Sequence, residues 1–100
     1  MENENVVLKY PLALIYTTSN LIVTRGRCLF LGAWVAGDGA NGDCQIYDGV
    51  STNDPQKVHL EALSGTTFAL VPPAPVIFER GIYLVVSAAT TKVTIAYSSI

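Results

Sequence analysis

Apolar residues in this chain recur at every second position, and that period decides what it can fold into. Lys57–Leu63 is the cleanest case. Val58, Leu60 and Ala62 fall on one side, and Lys57, His59 and Glu61 on the other. Val93, Ile95 and Tyr97 alternate in the same way with Lys92, Thr94 and Ala96. A period of two is the signature of a half-buried antiparallel strand. No window carries a convincing i, i+3, i+4, i+7 stripe, so almost no helix is expected. Cys28–Ala36 (CLFLGAWVA) and Ile82–Val86 (IYLVV) are apolar at successive positions. Such strands are central in a layered fold or covered by a neighbouring subunit.

Turn residues divide these runs at short intervals. Pro11 bends or starts a strand, Thr17–Asn20 reads as a turn, and Gly26 separates two apolar runs. The stretch 37–49, GDGANGDCQIYDG, reads as a hairpin centred on 38–42, with Cys44 facing Val35 or Ala36. Asp48–Gln56 is a longer polar connection. Ser64-Gly65 reads as a second hairpin turn, between Lys57–Leu63 and Thr66–Leu70. Pro72, Pro73 and Pro75 cannot donate to a central ladder, which makes their segment an edge or an extended crossover. Arg80-Gly81 is a tight turn or bulge, and Ala88–Thr91 the last turn. About eight short strands at this spacing predict an all-β, single-domain antiparallel β-sandwich, jelly-roll-like, with a small β-barrel as the alternative. The domain spans residues 1–100, with 1–5 as a loose N-terminal arm.

Composition narrows the function classes. Charged residues make up 14% of the chain, against about 25% in typical domains. A surface so short of charge points to burial against another chain, self-association being the simplest case. The net charge is −2, and the only local basic cluster is Arg25 and Arg27 around Gly26. No nucleic-acid partner is expected. MENENVVLKY lacks the basic start and apolar run of a signal peptide. The uncharged stretch Tyr10–Thr24 is interrupted by polar residues and is shorter than the about 20 needed to span a bilayer. Cytoplasmic folding without a membrane partner is the expectation. Cys28 and Cys44 fit it as two buried free thiols, with a contact between sheets as the alternative.

The residues that could carry chemistry are few. Asp38, Asn41, Asp43 and Asp48 could offer oxygens to a cation. The EF-hand spacing is broken by Ala40 and Gly42, and no closing Glu follows. A plain turn is the stronger reading, and no metal is expected. His59 is the only histidine and falls on a polar strand face, which rules out the usual multi-histidine zinc sites and leaves little for a nucleophile–histidine pair. Glu61 and Glu79 read as solvated strand acids, not a glycosidase pair. No catalytic residue, cofactor or small-molecule substrate is expected. Trp34, Tyr47, Phe68, Phe78, Tyr83 and Tyr97 read as core or subunit interface, with a sugar-binding platform as the alternative. Trp34 is placed near the hairpin tip.

The ordered stretches "CQIYDG", "VHLEAL", "PPAPVIFERGIYLVVS" and "KVTIAYSS" resemble a class of small structural proteins of tailed-bacteriophage virions. The resemblance covers residues 21–100 and excludes the first twenty. It implies a compact β-sandwich with an IYDG-like turn and an F-x-x-G-I-Y step. It also implies kinship with capsid decoration (cement) proteins, head-fibre bases and other accessory virion components, commonly homotrimeric. The implied function is a non-enzymatic protein that binds the major capsid protein or another virion protein and stabilises the head, assembled in the host cytoplasm and located on the virion. Glu2, Asn3, Glu4, Asn5, Val6 and Val7 would reach a neighbouring chain by β-augmentation. Trp34, Asp38, Asn41 and Tyr47 are the other candidate partner-binding residues. The alternative function is a carbohydrate- or receptor-binding module using Trp34, Tyr47 and the 37–56 loops. A small enzyme is the most distant reading.

Overall fold

The computed structural model describes residues 12–87 and 91–99. Among these residues, nine strands divide between two sheets: β1 (Ala13–Thr17), β2 (Leu21–Arg25), β3 (Cys28–Ala36), β4 (Gly42–Asp48), β5 (Gln56–Ala62), β6 (Thr67–Leu70), β7 (Val76–Phe78), β8 (Gly81–Val86) and β9 (Lys92–Ser99). One sheet has the order β1-β9-β3-β6, with β7 following β6 along the same edge of β3; the other has the order β2-β8-β4-β5. All strand pairings are antiparallel. β6 and β7 share one strand position, interrupted by Pro72, Pro73 and Pro75, so eight positions result. The proline segment lies on a sheet edge, as expected.

The pairings are nested. β4 pairs β5, β3 pairs β6 and β7, β2 pairs β8, and β1 pairs β9. The chain is thus one long antiparallel ribbon doubled back at residues 49–55. Rolling that ribbon brings β9 beside β3 and β8 beside β4. The result is a jelly-roll β-sandwich.

This topology corrects two local expectations. β3 and β4 belong to different sheets, as do β5 and β6. Neither 37–41 nor 63–66 is therefore a hairpin tip. Both are strands of one ribbon corner, tied together by hydrogen bonds. The Gly37 N–H donates to the Thr66 carbonyl (3.1 Å) and the Gly65 N–H to the Gly37 carbonyl (2.9 Å). The Ser64 N–H donates to Asn41 Oδ1 (2.9 Å). Two further corners are tied in the same way: the Gly26 N–H donates to the Arg80 carbonyl (2.9 Å), and the Val86 N–H donates to Asn20 Oδ1 (2.8 Å). A turn signal specifies a change of direction, which a corner and a hairpin share. The 49–55 loop is the hairpin among the described connections.

The core lies between the sheets. Cys28, Phe30, Ala33, Val35, Phe78, Val93 and Ile95 come from the first sheet, and Cys44, Ile46, Leu60, Ala62, Ile82 and Leu84 from the second. Phe30 and Phe78 pack with ring centroids 5.5 Å apart. The inward residues of β3 change from even to odd numbers along the strand. A register shift between Phe30 and Gly32 accounts for it: one extra residue in the ladder returns the next inward position to the core.

Candidate functional site

The outer face of the five-stranded sheet is apolar. Cross-strand partners point to the same side of a sheet, so its outward rows follow from the register. One row is Leu14–Ala96–Gly32, and the next is Tyr16–Thr94–Trp34–Ala69. Leu29 and Ile77 form another, ending at Ser98. Leu14 and Tyr16 are 63% and 62% exposed, and Val71 and Ile77 are also exposed. A Cβ built on Gly32 would lie 3.5 Å from both Trp34 Cη2 and Val71 Cγ2. The indole therefore covers Gly32, mid-sheet, and not a loop tip as expected. A further row sets Lys92 beside Ala36 and Thr67 and brings a charge to this face. The Lys92 ammonium contacts the Asp38 carboxylate at 2.8 Å. That hydrogen bond and charge hold the Asp38 carboxyl below its ordinary value and raise Lys92.

β1 borders this face and, among the described residues, is an edge strand. Native edges are commonly blunted by charge, proline or bulges. β5 carries Lys57 and Glu61, β2 carries a register shift and Arg25, and β6 and β7 are separated by prolines. β1, with the sequence ALIYT, carries none of these devices. Among the described residues, an unblunted edge and an apolar face thus meet at Leu14 and Tyr16.

The outer face of the four-stranded sheet differs. Asp43 lies opposite Glu61, Gln45 opposite His59, and Tyr47 opposite Tyr83. His59 Nε2 is 2.6 Å from Asp43 Oδ1 and 3.6 Å from Glu61 Oε2. The Gln45 amide donates to the same Asp43 oxygen (3.1 Å), and Ser87 Oγ donates to Gln45 Oε1 (2.9 Å). The Asp43 N–H donates to Thr91 Oγ1 (3.0 Å). A cleft of about 480 Å³, lined in part by Asn41, Asp43, Glu61 and Leu63, opens beside the carboxylates.

The three aspartates of the 37–49 stretch therefore do not share a site. Asp38 pairs with Lys92, and Asp43 belongs to the His59 cluster. Asp48 is buried, and its carboxylate accepts the N–H groups of Glu79 (3.1 Å) and Arg80 (2.8 Å). Asp48 joins the IYDG stretch to the FERGIY stretch. In IYDG itself, Ile46–Asp48 is the end of β4 and not a turn. Trp34 and Tyr47 stand on opposite sheets, so they cannot form one ligand platform; Tyr47 pairs instead with Tyr83, centroids 6.2 Å apart. Asn41 serves a corner. Glu2–Val7 lie outside the described residues. Asp43 is a strand acid that the sequence reading placed in a turn, and the β4–β5 pairing is what brings it to Glu61.

Cys28 and Cys44 are buried free thiols, as expected. Burial, then the charge of Asp48, pushes Cys28 up to about 11; burial, then the charge of Asp43, pushes Cys44 up to about 12. Protonated thiols in a core are poor nucleophiles. Among the described residues, no helix is long and apolar enough to cross a membrane. In comparisons with family models and with curated proteins, nothing matches this chain.

Proposed function

We propose that this chain is a non-enzymatic structural protein of a tailed-bacteriophage virion, a decoration or cement protein that stabilises the head surface as a homotrimer. One observation carries the assembly part: the apolar outer face of the five-stranded sheet runs into the unblunted β1 edge. A single-chain domain gains nothing from displaying Leu14, Tyr16, Val71 and Ile77 together, whereas a partner covering them removes apolar area from water. The jelly roll is also a frequent architecture of viral capsid domains, although a fold alone does not assign a role. The virion context rests on the resemblance of residues 21–100.

Function in this reading is adhesion between protein surfaces. The Leu14–Tyr16 edge, outermost among the described strands, offers its backbone groups to a neighbouring strand, and the adjacent face supplies the apolar contact. The test is immunogold labelling of intact particles from the phage that encodes the chain. Label on the head surface is expected. Particles that carry no label while the chain remains in the soluble lysate would overturn the reading.

A further inference from the structure

We propose that Asp43, His59 and Glu61 form a surface site for a divalent transition ion, with Zn²⁺ the best-fitting probe. The site lies on the sheet opposite the proposed docking face and does not depend on it. The three side chains each present a ligand atom, and these atoms lie within 4.8 Å of one another. Strand pairing produces the arrangement: Asp43 and Glu61 are direct partners across β4 and β5, and His59 precedes Glu61 by two residues on the same face.

Electrostatics supports a cation there. Two carboxylates directly opposite each other on a sheet repel. Among the described residues, neither lies within ion-pairing distance of a lysine or arginine; their close partner is the imidazole. Lys57, the nearest cation in sequence on that face of β5, makes no such contact. One divalent ion bound between the two carboxylates offsets that repulsion.

The donor set is one nitrogen and two carboxylate oxygens. Imidazole selects first-row transition ions over Ca²⁺ and Mg²⁺, which prefer oxygen alone. Three protein ligands leave further positions to solvent, as in open zinc sites, and the adjoining cleft gives water access. The second shell is already in place. Gln45, itself held by Ser87, donates to Asp43 Oδ1, and Thr91 holds the Asp43 backbone. Such outer contacts commonly orient metal-binding side chains. An ion bound here would bridge β4 and β5, the centre of the ribbon.

Isothermal titration of the untagged full chain with Zn²⁺ tests the site. One saturable ion per chain is expected, with affinity weakened at least tenfold in His59→Gln and in Asp43→Asn. No comparable uptake of Ca²⁺ or Mg²⁺ is expected. A measurement on the unsubstituted chain removes any dependence on variant folding. Co²⁺ should selectively broaden amide NMR signals around Asp43, His59 and Glu61. Absence of saturable binding, binding unchanged by both substitutions, or broadening centred elsewhere would each overturn the proposal.

Discussion

Asp48 illustrates how one side chain can close a distant corner. Its carboxylate, on a buried residue, accepts two part-buried backbone N–H groups 31 and 32 residues away. Asp48→Ala should lower stability by about 2 kcal/mol in urea unfolding, because two part-buried backbone donors lose a charged acceptor. Asp48→Asn, which keeps one acceptor oxygen, should lose roughly half as much. Gly81 and Gly26 make a second contrast. Both have positive φ, but a Cβ at Gly81 would meet the Thr24 carbonyl oxygen at 2.5 Å, whereas one at Gly26 meets nothing within 4 Å. Gly81→Ala should cost about 3 kcal/mol through clash and strain, and Gly26→Ala only about 1. The glycines were legible as punctuation; their unequal importance was not, since it depends on backbone brought in from elsewhere.

The thiols yield a pH prediction at the same scale. Each has a folded pKa raised above the ordinary 9.0. The unfolded chain therefore loses these protons first as pH rises. Their contribution is fully present below about pH 9 and is lost as pH climbs towards 11 for Cys28 and 12 for Cys44. Replacing both with Ala should flatten the alkaline limb of the stability curve. In the native state at pH 8, neither thiol should react with a disulfide reagent; both should react after unfolding.

At the scale of the element, strands were legible and their connections were not. The alternation of Lys57–Leu63 depends only on which residues face the core, and β5 follows it. Which strand flanks β4 on the side away from β5 is set by the rolling of the whole ribbon, and no short stretch carries that information. The turn signals at 37–41 and 63–66 mark corners of that rolled ribbon, and reading them as hairpins hid the β4–β5 hairpin that brings Asp43 to Glu61. The β3 shift at Phe30–Gly32 was hidden for a related reason: every residue around it is apolar or glycine, so a parity change leaves no mark. Ile46, fully buried in β4, and Trp34, on the outer face of β3, separate the two roles of apolar residues. Ile46→Ala should cost about 2–5 kcal/mol by leaving a core cavity. Trp34→Ser should cost less stability than Ile46→Ala, because the indole is only half-buried, and should weaken self-association, as read by sedimentation velocity.

At the scale of the molecule, two different faces are displayed. One is apolar and adjoins an open edge; the other holds the Asp43–His59–Glu61 cluster. The charge deficit of the sequence pointed to apolar surface without locating it, and Leu14, Tyr16, Val71 and Ile77 are exposed. Location required the register, which sets Leu14, Ala96 and Gly32 in one row and Tyr16, Thr94, Trp34 and Ala69 in the next. The central claim is that this face and the β1 edge hold copies together. Light scattering on the purified chain, beside a Leu14→Glu/Tyr16→Glu double variant, tests it most directly. The account predicts a mass three times the 10.7 kDa of one chain for the unsubstituted protein, and a folded monomer for the variant. A monomeric unsubstituted chain, or a variant that assembles equally well, would contradict it.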